Sequence, residues 1–133
     1  MRYLLDTTLL VDHVLDRHGA PEVVERLFGE TGDLFVCDAV VAEALSRGTD
    51  DEVAVMERLI RALEYVATTP DAARAAGASR RSASRTSPRQ LGDALLAAVA
   101  ADLGAVVVTR NPSDFERLGV AVLAYGSQTI QPA

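Results

Sequence analysis

The stretch Tyr3-Leu4-Leu5-Asp6-Thr7-Thr8-Leu9-Leu10 decides the fold of this 133-residue chain. It opens as a short apolar run and ends in a carboxylate, and two hydroxyl residues then precede an apolar pattern at helical spacing. The pattern predicts a buried strand that turns into a helix, with Thr7 or Thr8 as the N-cap. Asp6 would then end the first strand, at the edge where open α/β sheets bind ligands. The alternative is that Asp6 only caps the helix.

Strands and helices alternate along the rest of the chain. Leu34–Cys37 and Ala105–Thr109 are apolar runs of strand length, Tyr65–Ala67 is a weaker one, and Val120–Leu123 is the last. Helical patterns lie between them, and the strongest carries Leu91, Leu95, Leu96, Val99 and Leu103. This alternation predicts an α/β fold, a three-layer sandwich with a central five-stranded parallel sheet. We expect the first strand at the centre and Ala105–Thr109 beside it, because only a strand covered on both faces tolerates an unbroken apolar run.

Length and composition indicate one domain, residues 1–133, of a soluble globular protein. No apolar run approaches the roughly 18 residues of a membrane span. The N-terminus leads directly into Leu5-Asp6 and does not resemble a signal peptide. The single Cys37 lies in an apolar run and has no second cysteine to pair with. These features predict a cytoplasmic protein.

The distribution of charge is more informative than the net charge of −6. All thirteen basic residues are arginine, and four of them lie between Ser79 and Gly92 without an intervening acid. Arginine suits bidentate phosphate contacts, so this patch is a candidate phosphate-binding surface. The alternative is a solvated loop. The four residues of the arginine patch are Arg80, Arg81, Arg85 and Arg89.

Four acids occupy positions that this fold brings to one edge of the sheet. Asp6 ends the first strand and Asp114 follows the fourth, while Glu43 and Asp93 lie early on helices that begin at that edge. Each has a structural alternative: Asp93, placed in the first turn of its helix, would gain about 0.3–1 kcal/mol from the helix dipole alone. Converging carboxylates repel one another unless a positive charge neutralises them. A hard divalent cation such as Mg²⁺ or Mn²⁺ suits such oxygen ligands.

The segments that carry these acids resemble the motifs of PIN-domain proteins. They are Leu4-Leu5-Asp6-Thr7-Thr8, Glu43 within Val40–Leu45, Asp93 within Gly92–Ala98, and Thr109-Arg110-Asn111-Pro112-Ser113-Asp114-Phe115. Length and order most resemble the VapC-type toxins of bacterial toxin–antitoxin modules. The likeness covers essentially the whole chain, although residues 50–90 carry no matching motif. Thr8 stands where family members more often have Ser, and it keeps the hydroxyl.

The resemblance implies a metal-dependent ribonuclease that a small antitoxin inhibits and that acts as a homodimer. Asp6 and Asp93 would be the principal ligands of Mg²⁺ or Mn²⁺, and Glu43 and Asp114 would complete the catalytic pocket, directly or through water. The residues that would orient these ligands are Thr7, Thr8 and Asn111. The candidate RNA contacts are the arginine patch and Arg110.

Two other classes of function remain as alternatives. A phosphatase or receiver domain that forms an aspartyl-phosphate usually pairs its Asp with a Lys, but this chain has no Lys. A catalytically silent PIN fold that binds RNA or a protein would be marked by the loss of an acid, whereas all four acids are present. Phosphodiester hydrolysis at a metal needs no histidine, and His13 and His18, five residues apart, do not share a helix face.

Overall fold

The structure, a computed structural model, describes residues 1–30, 33–82 and 89–126, with the backbone alone at 89 and 90. Its strands are β1 (Tyr3–Leu5), β2 (Leu34–Cys37), β3 (Glu64–Val66), β4 (Val106–Thr109) and β5 (Val122–Ala124). They form one parallel sheet in the order β3-β2-β1-β4-β5. The predicted parallel sheet, with the first strand central and the fourth beside it, is confirmed.

The helices form two groups around this sheet. They are α1 (Thr7–Val14), α2 (Ala20–Glu30), α3 (Asp38–Ala44), α4 (Asp50–Ala62), α5 (Pro70–Ser82), α6 (Arg89–Leu103) and α7 (Pro112–Glu116). Helix α1 packs against α2, α3 and α4, whereas α6 packs against α5 and α7 and also contacts α3. Right-handed crossovers place the connections on the two sides of β1 on opposite faces of the sheet. The result is the predicted three-layer sandwich.

The core lies on both faces of β1 and β4. Leu4 and Leu5 pair in register with Val107 and Val108, and none of these four side chains is exposed to solvent. Each buried aliphatic side chain of this size stabilises the fold by about 1.5–3 kcal/mol relative to exposure. Because both neighbouring strands are covered on both faces, their carboxyl ends are held rigidly side by side.

Two helix ends follow local sequence chemistry. Thr49 caps α4 by accepting a hydrogen bond from the backbone N–H of Glu52, and the Glu52 carboxylate accepts one from the backbone N–H of Thr49. This reciprocal pair is a capping box. Helix α6 is followed by Gly104 at φ +64°, a left-handed conformation that glycine adopts without steric cost. The chain can therefore turn at once into β4.

Helix α6 begins earlier than its apolar pattern predicted. Because it starts at Arg89, Asp93 lies in its second turn, beyond the free N–H groups that a first-turn acid would meet. Leu91, the first residue of the predicted apolar pattern, is 47% exposed, and the buried stripe begins at Ala94. Residues 83–88, which include Arg85 of the arginine patch, lie outside the described residues.

Helix α3 begins directly after β2. Cys37 occupies the N-cap position, and Asp38 already has helical backbone. The Asp38 carboxylate accepts hydrogen bonds from the backbone N–H of Ala39 at 3.0 Å and from the backbone N–H and the hydroxyl of Thr68 at 3.2 and 2.7 Å. It therefore ties the segment after β3 to the start of α3.

The strand order reverses at β1. The chain proceeds from β1 to β2 and β3 on one side of the sheet, and β4 and β5 lie on the other side. In open parallel sheets the carboxyl ends of the strands at such a switch point border the crevice where ligands bind. Here Asp6 follows β1 and Arg110 follows β4.

Candidate active site

Asp6 is a buried carboxylate at this switch point, with only 7% of its surface exposed. Its Oδ1 accepts a hydrogen bond from the backbone N–H of Thr7 at 2.8 Å. Its Oδ2 accepts from the hydroxyls of Thr8 at 3.0 Å and Thr109 at 2.7 Å. Burial raises the pKa of Asp6 above its ordinary value, and the nearby charge of Glu43 adds to that rise, against the hydrogen bonds from the three threonines.

The N-cap of α1 is Asp6, so the prediction of Thr7 or Thr8 in that position was wrong. Asp6 has extended backbone (φ −78°, ψ 158°), and both threonines are already helical. Asp6 can cap the helix and still have a second carboxylate oxygen available for a ligand. Only Oδ1 contacts the helix N-terminus, and Oδ2 is oriented by hydroxyls from two different elements.

Thr109 is a site residue that the sequence patterns did not single out. It has no exposed surface, and its hydroxyl donates to Asp6 and accepts a hydrogen bond from the backbone N–H of Asn111 at 3.0 Å. The available signal was a polar residue that ends a run of three valines. Without the pairing of β4 with β1, that threonine is indistinguishable from an ordinary strand end.

Glu43 lies beside Asp6 and is bound to the same segment. The hydroxyl of Thr7 donates to Glu43 Oε1 at 2.7 Å, while the backbone N–H of Thr7 donates to Asp6. The other oxygen, Glu43 Oε2, lies 3.8 Å from where a Cβ at Gly92 would be. The Glu43 side chain is solvent-exposed, so the site opens to water on this side. The Glu43 carboxylate therefore lies against α6, next to the position that precedes Asp93.

The other predicted site residues are Asp93, Asp114 and Asn111. Asp93, on α6, and Asp114, on α7, are both half-buried. The Asp114 carboxylate pairs with Arg117 at 3.4 Å. Asn111 is the N-cap of α7, but its side chain makes no capping hydrogen bond. Direct roles for these three residues in binding a ligand stay predictions.

The donor chemistry of the site fits a hard cation. In the three described ranges, no three His, Cys, Asp or Glu side chains are arranged to hold a metal ion by themselves. Mg²⁺, however, is usually held by one or two carboxylates and keeps several waters. Asp6 and Glu43 supply oxygen donors only, and among the described residues no ion pair involves Asp6. A buried carboxylate that lacks a cationic side chain is suited to a bound cation.

A second buried acid, Asp12 on α1, was not singled out by the sequence. It is 2% exposed, and its Oδ2 accepts hydrogen bonds from Arg110 Nε and from the Tyr125 hydroxyl, both at 2.8 Å. We call these three residues the Asp12 cluster. Arg110, expected as an RNA contact, is thus bound to Asp12, and its side chain is 31% exposed.

The structure also describes the two histidines, part of the arginine patch and Cys37. His13 is half-buried with an unpartnered Nδ1, and burial lowers its pKa, while His18 is exposed. Arg80 and Arg81 lie in the last turn of α5. Arg85 and the side chain of Arg89 lie outside the described residues. Cys37 is fully buried, as predicted.

A groove of about 280 Å³ lies between α1, α3 and α4. Its walls are mainly apolar and include Ala44, which follows Glu43 in the chain. Two arginines, Arg17 and Arg47, also line it. None of the helices in the described part of the chain is both long and apolar enough to traverse a lipid bilayer.

Fold and site define an α/β protein with an acidic crevice at a topological switch point. The family model of the PIN domain matches residues 3–121. The chain belongs to the PIN-domain family, as its motifs indicated. Among curated proteins, no sequence matches it closely enough to count as a relative.

Solved structures with the same fold include toxins of toxin–antitoxin pairs. A chain of the DNA-bound VapBC complex of Salmonella typhimurium is 25% identical, with a TM-score of 0.75 over 93% of this chain and 98% of that chain. VapBC2 of Rickettsia felis, bound to a promoter DNA fragment, is 18% identical with a TM-score of 0.73, over 94% and 99% of the two chains. VapC20 of Mycobacterium tuberculosis, a toxin that cleaves the sarcin–ricin loop, is 16% identical with a TM-score of 0.65, over 90% and 96%.

Proposed function

We propose that this chain is a VapC-type toxin, a metal-dependent endoribonuclease that hydrolyses RNA phosphodiester bonds. The observation that carries the proposal is Asp6, a buried carboxylate held by three donors beside Glu43, without an ion pair among the described residues. Its position at the switch point of a PIN fold, and the likeness to VapBC and VapC structures, support the same function.

The proposed ligands of Mg²⁺ or Mn²⁺ are Asp6 and Asp93, with Glu43 and Asp114 completing the pocket directly or through water. Bound there, the ion would lower the pKa of a water molecule and hold the scissile phosphate. Ionised Asp6 is costly in the empty site because burial removes its hydration. Cation binding would relieve this cost.

The chain's own residues orient the ligands. The hydroxyls of Thr8 and Thr109 hold Asp6 Oδ2, so that carboxylate has one defined orientation. Thr7 does the same for Glu43 and couples its position to that of Asp6. Asn111, at the start of α7, is proposed to orient ligands on the side of Asp114. Such supporting hydrogen bonds typically contribute 10–100-fold to metal affinity.

RNA is proposed to approach over the end of α5. Arg80 and Arg81 lie in its last turn, and the chain continues from there through Arg85 and Arg89 into α6, which carries Asp93. Arginines next to an acidic site would bind the phosphates that the acids themselves repel. Arg110 is better explained by its bond to Asp12.

The proposed partner is a cognate antitoxin, since several solved neighbours are VapBC complexes. An antitoxin arginine that enters the acidic pocket would replace the cation as counter-charge through charge-assisted hydrogen bonds. The groove between α1, α3 and α4 offers apolar surface immediately after Glu43 for the same partner. We further propose that the toxin acts as a homodimer in the cytoplasm.

The experiment is cleavage of a long RNA by wild type and Asp93→Asn, each with Mg²⁺, with Mn²⁺ and with EDTA. Asn keeps the shape of Asp but lacks the charge that holds a hard cation. We expect wild-type cleavage that EDTA abolishes, and a loss of orders of magnitude in Asp93→Asn that Mn²⁺ rescues only partly. Cleavage that survives both the chelator and the substitution would overturn the proposal. RNA binding without cleavage would favour the alternative, a catalytically silent PIN-fold binding module.

A further inference from the structure

The Asp12 cluster joins three elements that meet near the acidic site. Asp12 lies on α1, Arg110 follows β4, and Tyr125 follows β5. One buried carboxylate oxygen accepts from both Arg110 Nε and the Tyr125 hydroxyl. The backbone N–H of Tyr125 also donates to the backbone carbonyl of Thr109 at 3.2 Å. The cluster therefore fastens the ends of β4 and β5 to the same helix that begins at Asp6.

The turn after β4 is attached to α1 at two points. At the first, Thr109 bonds to Asp6, and the backbone N–H of Arg110 approaches the Thr8 hydroxyl at 3.4 Å. The second is the bond between Arg110 and Asp12. Asp6 and Asp12 are six residues apart, which is about 9 Å along a helix axis. Two attachments at this separation prevent the turn from pivoting about the Thr109 hydroxyl.

The cluster also determines where the charge of Arg110 lies. Arg110 directly follows Thr109, whose hydroxyl contacts Asp6, so its long side chain starts within reach of the acidic site. A guanidinium binds carboxylates strongly and would compete there with a divalent cation. Its bond to Asp12, whose side chain is 3% exposed, instead provides a buried partner. That bond raises the pKa of Arg110, whose guanidinium is charged at neutral pH even without it.

We propose that Asp12 is a positioning residue for the acidic site: it binds Arg110 and Tyr125, fixes the turn that carries Thr109, and holds the Arg110 guanidinium away from Asp6 and Glu43. The part of this inference that concerns metal affinity rests on the proposed function. The part that concerns the place of the guanidinium does not.

The first test compares crystal structures of the metal-free wild type and Asp12→Asn. Asn keeps the shape of Asp but loses the charge that retains Arg110. We expect the guanidinium to move onto Asp6 or Glu43 in Asp12→Asn, and to stay on Asp12 in the control Tyr125→Phe, which removes only the hydroxyl. A guanidinium that stays beside the substituted side chain in Asp12→Asn, or that turns to solvent, would overturn the inference.

The second test measures Mn²⁺ binding by calorimetry. We expect Asp12→Asn to bind Mn²⁺ about tenfold more weakly than wild type, the range of supporting residues in metal sites. Adding Arg110→Gln to Asp12→Asn should restore most of that affinity, because the competing cation is gone. If Asp12 acted only by fixing the turn, the double variant would be at least as impaired as the single one, and that result would overturn the role assigned to the guanidinium.

Arg110→Gln alone keeps the inference testable if Asp12→Asn does not fold. Gln retains an N–H donor for Asp12, so we expect Mn²⁺ affinity close to that of wild type. A large loss would mean that Arg110 acts at the acidic site itself, which would overturn the inference. If the wild type binds no Mn²⁺, the proposed function fails, and the position of the guanidinium in the crystals still decides the role of Asp12.

Discussion

The hydroxyl of Thr109 donates a hydrogen bond of 2.7 Å to Asp6 Oδ2, joining the ends of the two central strands. Both residues are buried, and 103 positions separate them in the chain. The acidic site is therefore built on the pairing of β1 with β4. Any change that loosens this bond should disturb the site before it disturbs the fold.

Replacement of Thr109 tests this directly. Thr109→Val keeps the shape but leaves Asp6 Oδ2 and the backbone N–H of Asn111 without the hydroxyl, so we expect about 1–3 kcal/mol lower stability. Mn²⁺ affinity should fall by about 10–100-fold. Thr109→Ser is the matched control, because it keeps the hydroxyl and should bind Mn²⁺ nearly as wild type does. Equal affinities in the Val and Ser variants would show that this hydroxyl does not orient Asp6.

The stability of the metal-free protein should depend on the ionisation of Asp6. The pKa of Asp6 is raised in the folded state from an ordinary value of 3.8, because burial disfavours the charged form. Folded protein thus binds this proton more tightly than unfolded protein does. The stabilisation is complete below the unfolded pKa and is lost as pH rises through the folded pKa.

Thermal unfolding of wild type and Asp6→Asn in EDTA, from pH 4 to pH 8, measures this effect. The variant shares every other titrating group, so the melting temperature of wild type should fall relative to it as pH rises. Mg²⁺ at pH 8 should raise the melting temperature of wild type and leave that of Asp6→Asn nearly unchanged. A difference between the two proteins that is constant with pH would contradict the raised pKa.

RNA binding should depend on the end of α5. Replacing Arg80 and Arg81 with Gln should weaken binding in EDTA and reduce the slope of log K against log salt by about 0.7 for each lost phosphate contact with single-stranded RNA. Arg58→Gln, at an exposed position of α4, is the control and should leave the slope unchanged. An unaltered slope in the double variant would show that Arg80 and Arg81 make no phosphate contacts with the RNA.

The antitoxin should interact with the charge of Glu43. If an antitoxin arginine enters the acidic pocket, Glu43→Gln should weaken the complex by about 2 kcal/mol or more, the usual effect of breaking a buried charge pair. Glu25→Gln, at an exposed position of α2, should leave the affinity unchanged. A crystal structure of the complex in which the site carboxylates stay open to water would contradict this prediction.

Much of the architecture was predictable because it rests on local patterns. Leu34–Cys37 is a strand with the predicted bounds, and the valine-rich run before Thr109 lies beside the first strand as expected. Continuous apolar runs can be stable only when both faces are covered, so these segments indicate their own place in the sheet. Element ends were less predictable, because an N-cap depends on which backbone N–H groups remain free. The N-caps of α1 and α3 are Asp6 and Cys37, whereas the sequence predicted Thr7 or Thr8 for α1.

The sequence by itself also predicted the edge of the sheet at which Asp6 and Glu43 lie. Asp6 directly follows β1, and Glu43 lies on the helix that follows β2. The structure brings these two residues together through Thr7, and the ligand roles of Asp93 and Asp114 stay predictions. Only the tertiary structure decided which side chains support the site. Thr109 reaches Asp6, and Arg110 and Tyr125 reach Asp12, across 98 to 113 positions of the chain. Hydrogen bonds act over about 3 Å, so these partners are set by strand order and helix packing, which no local pattern encodes.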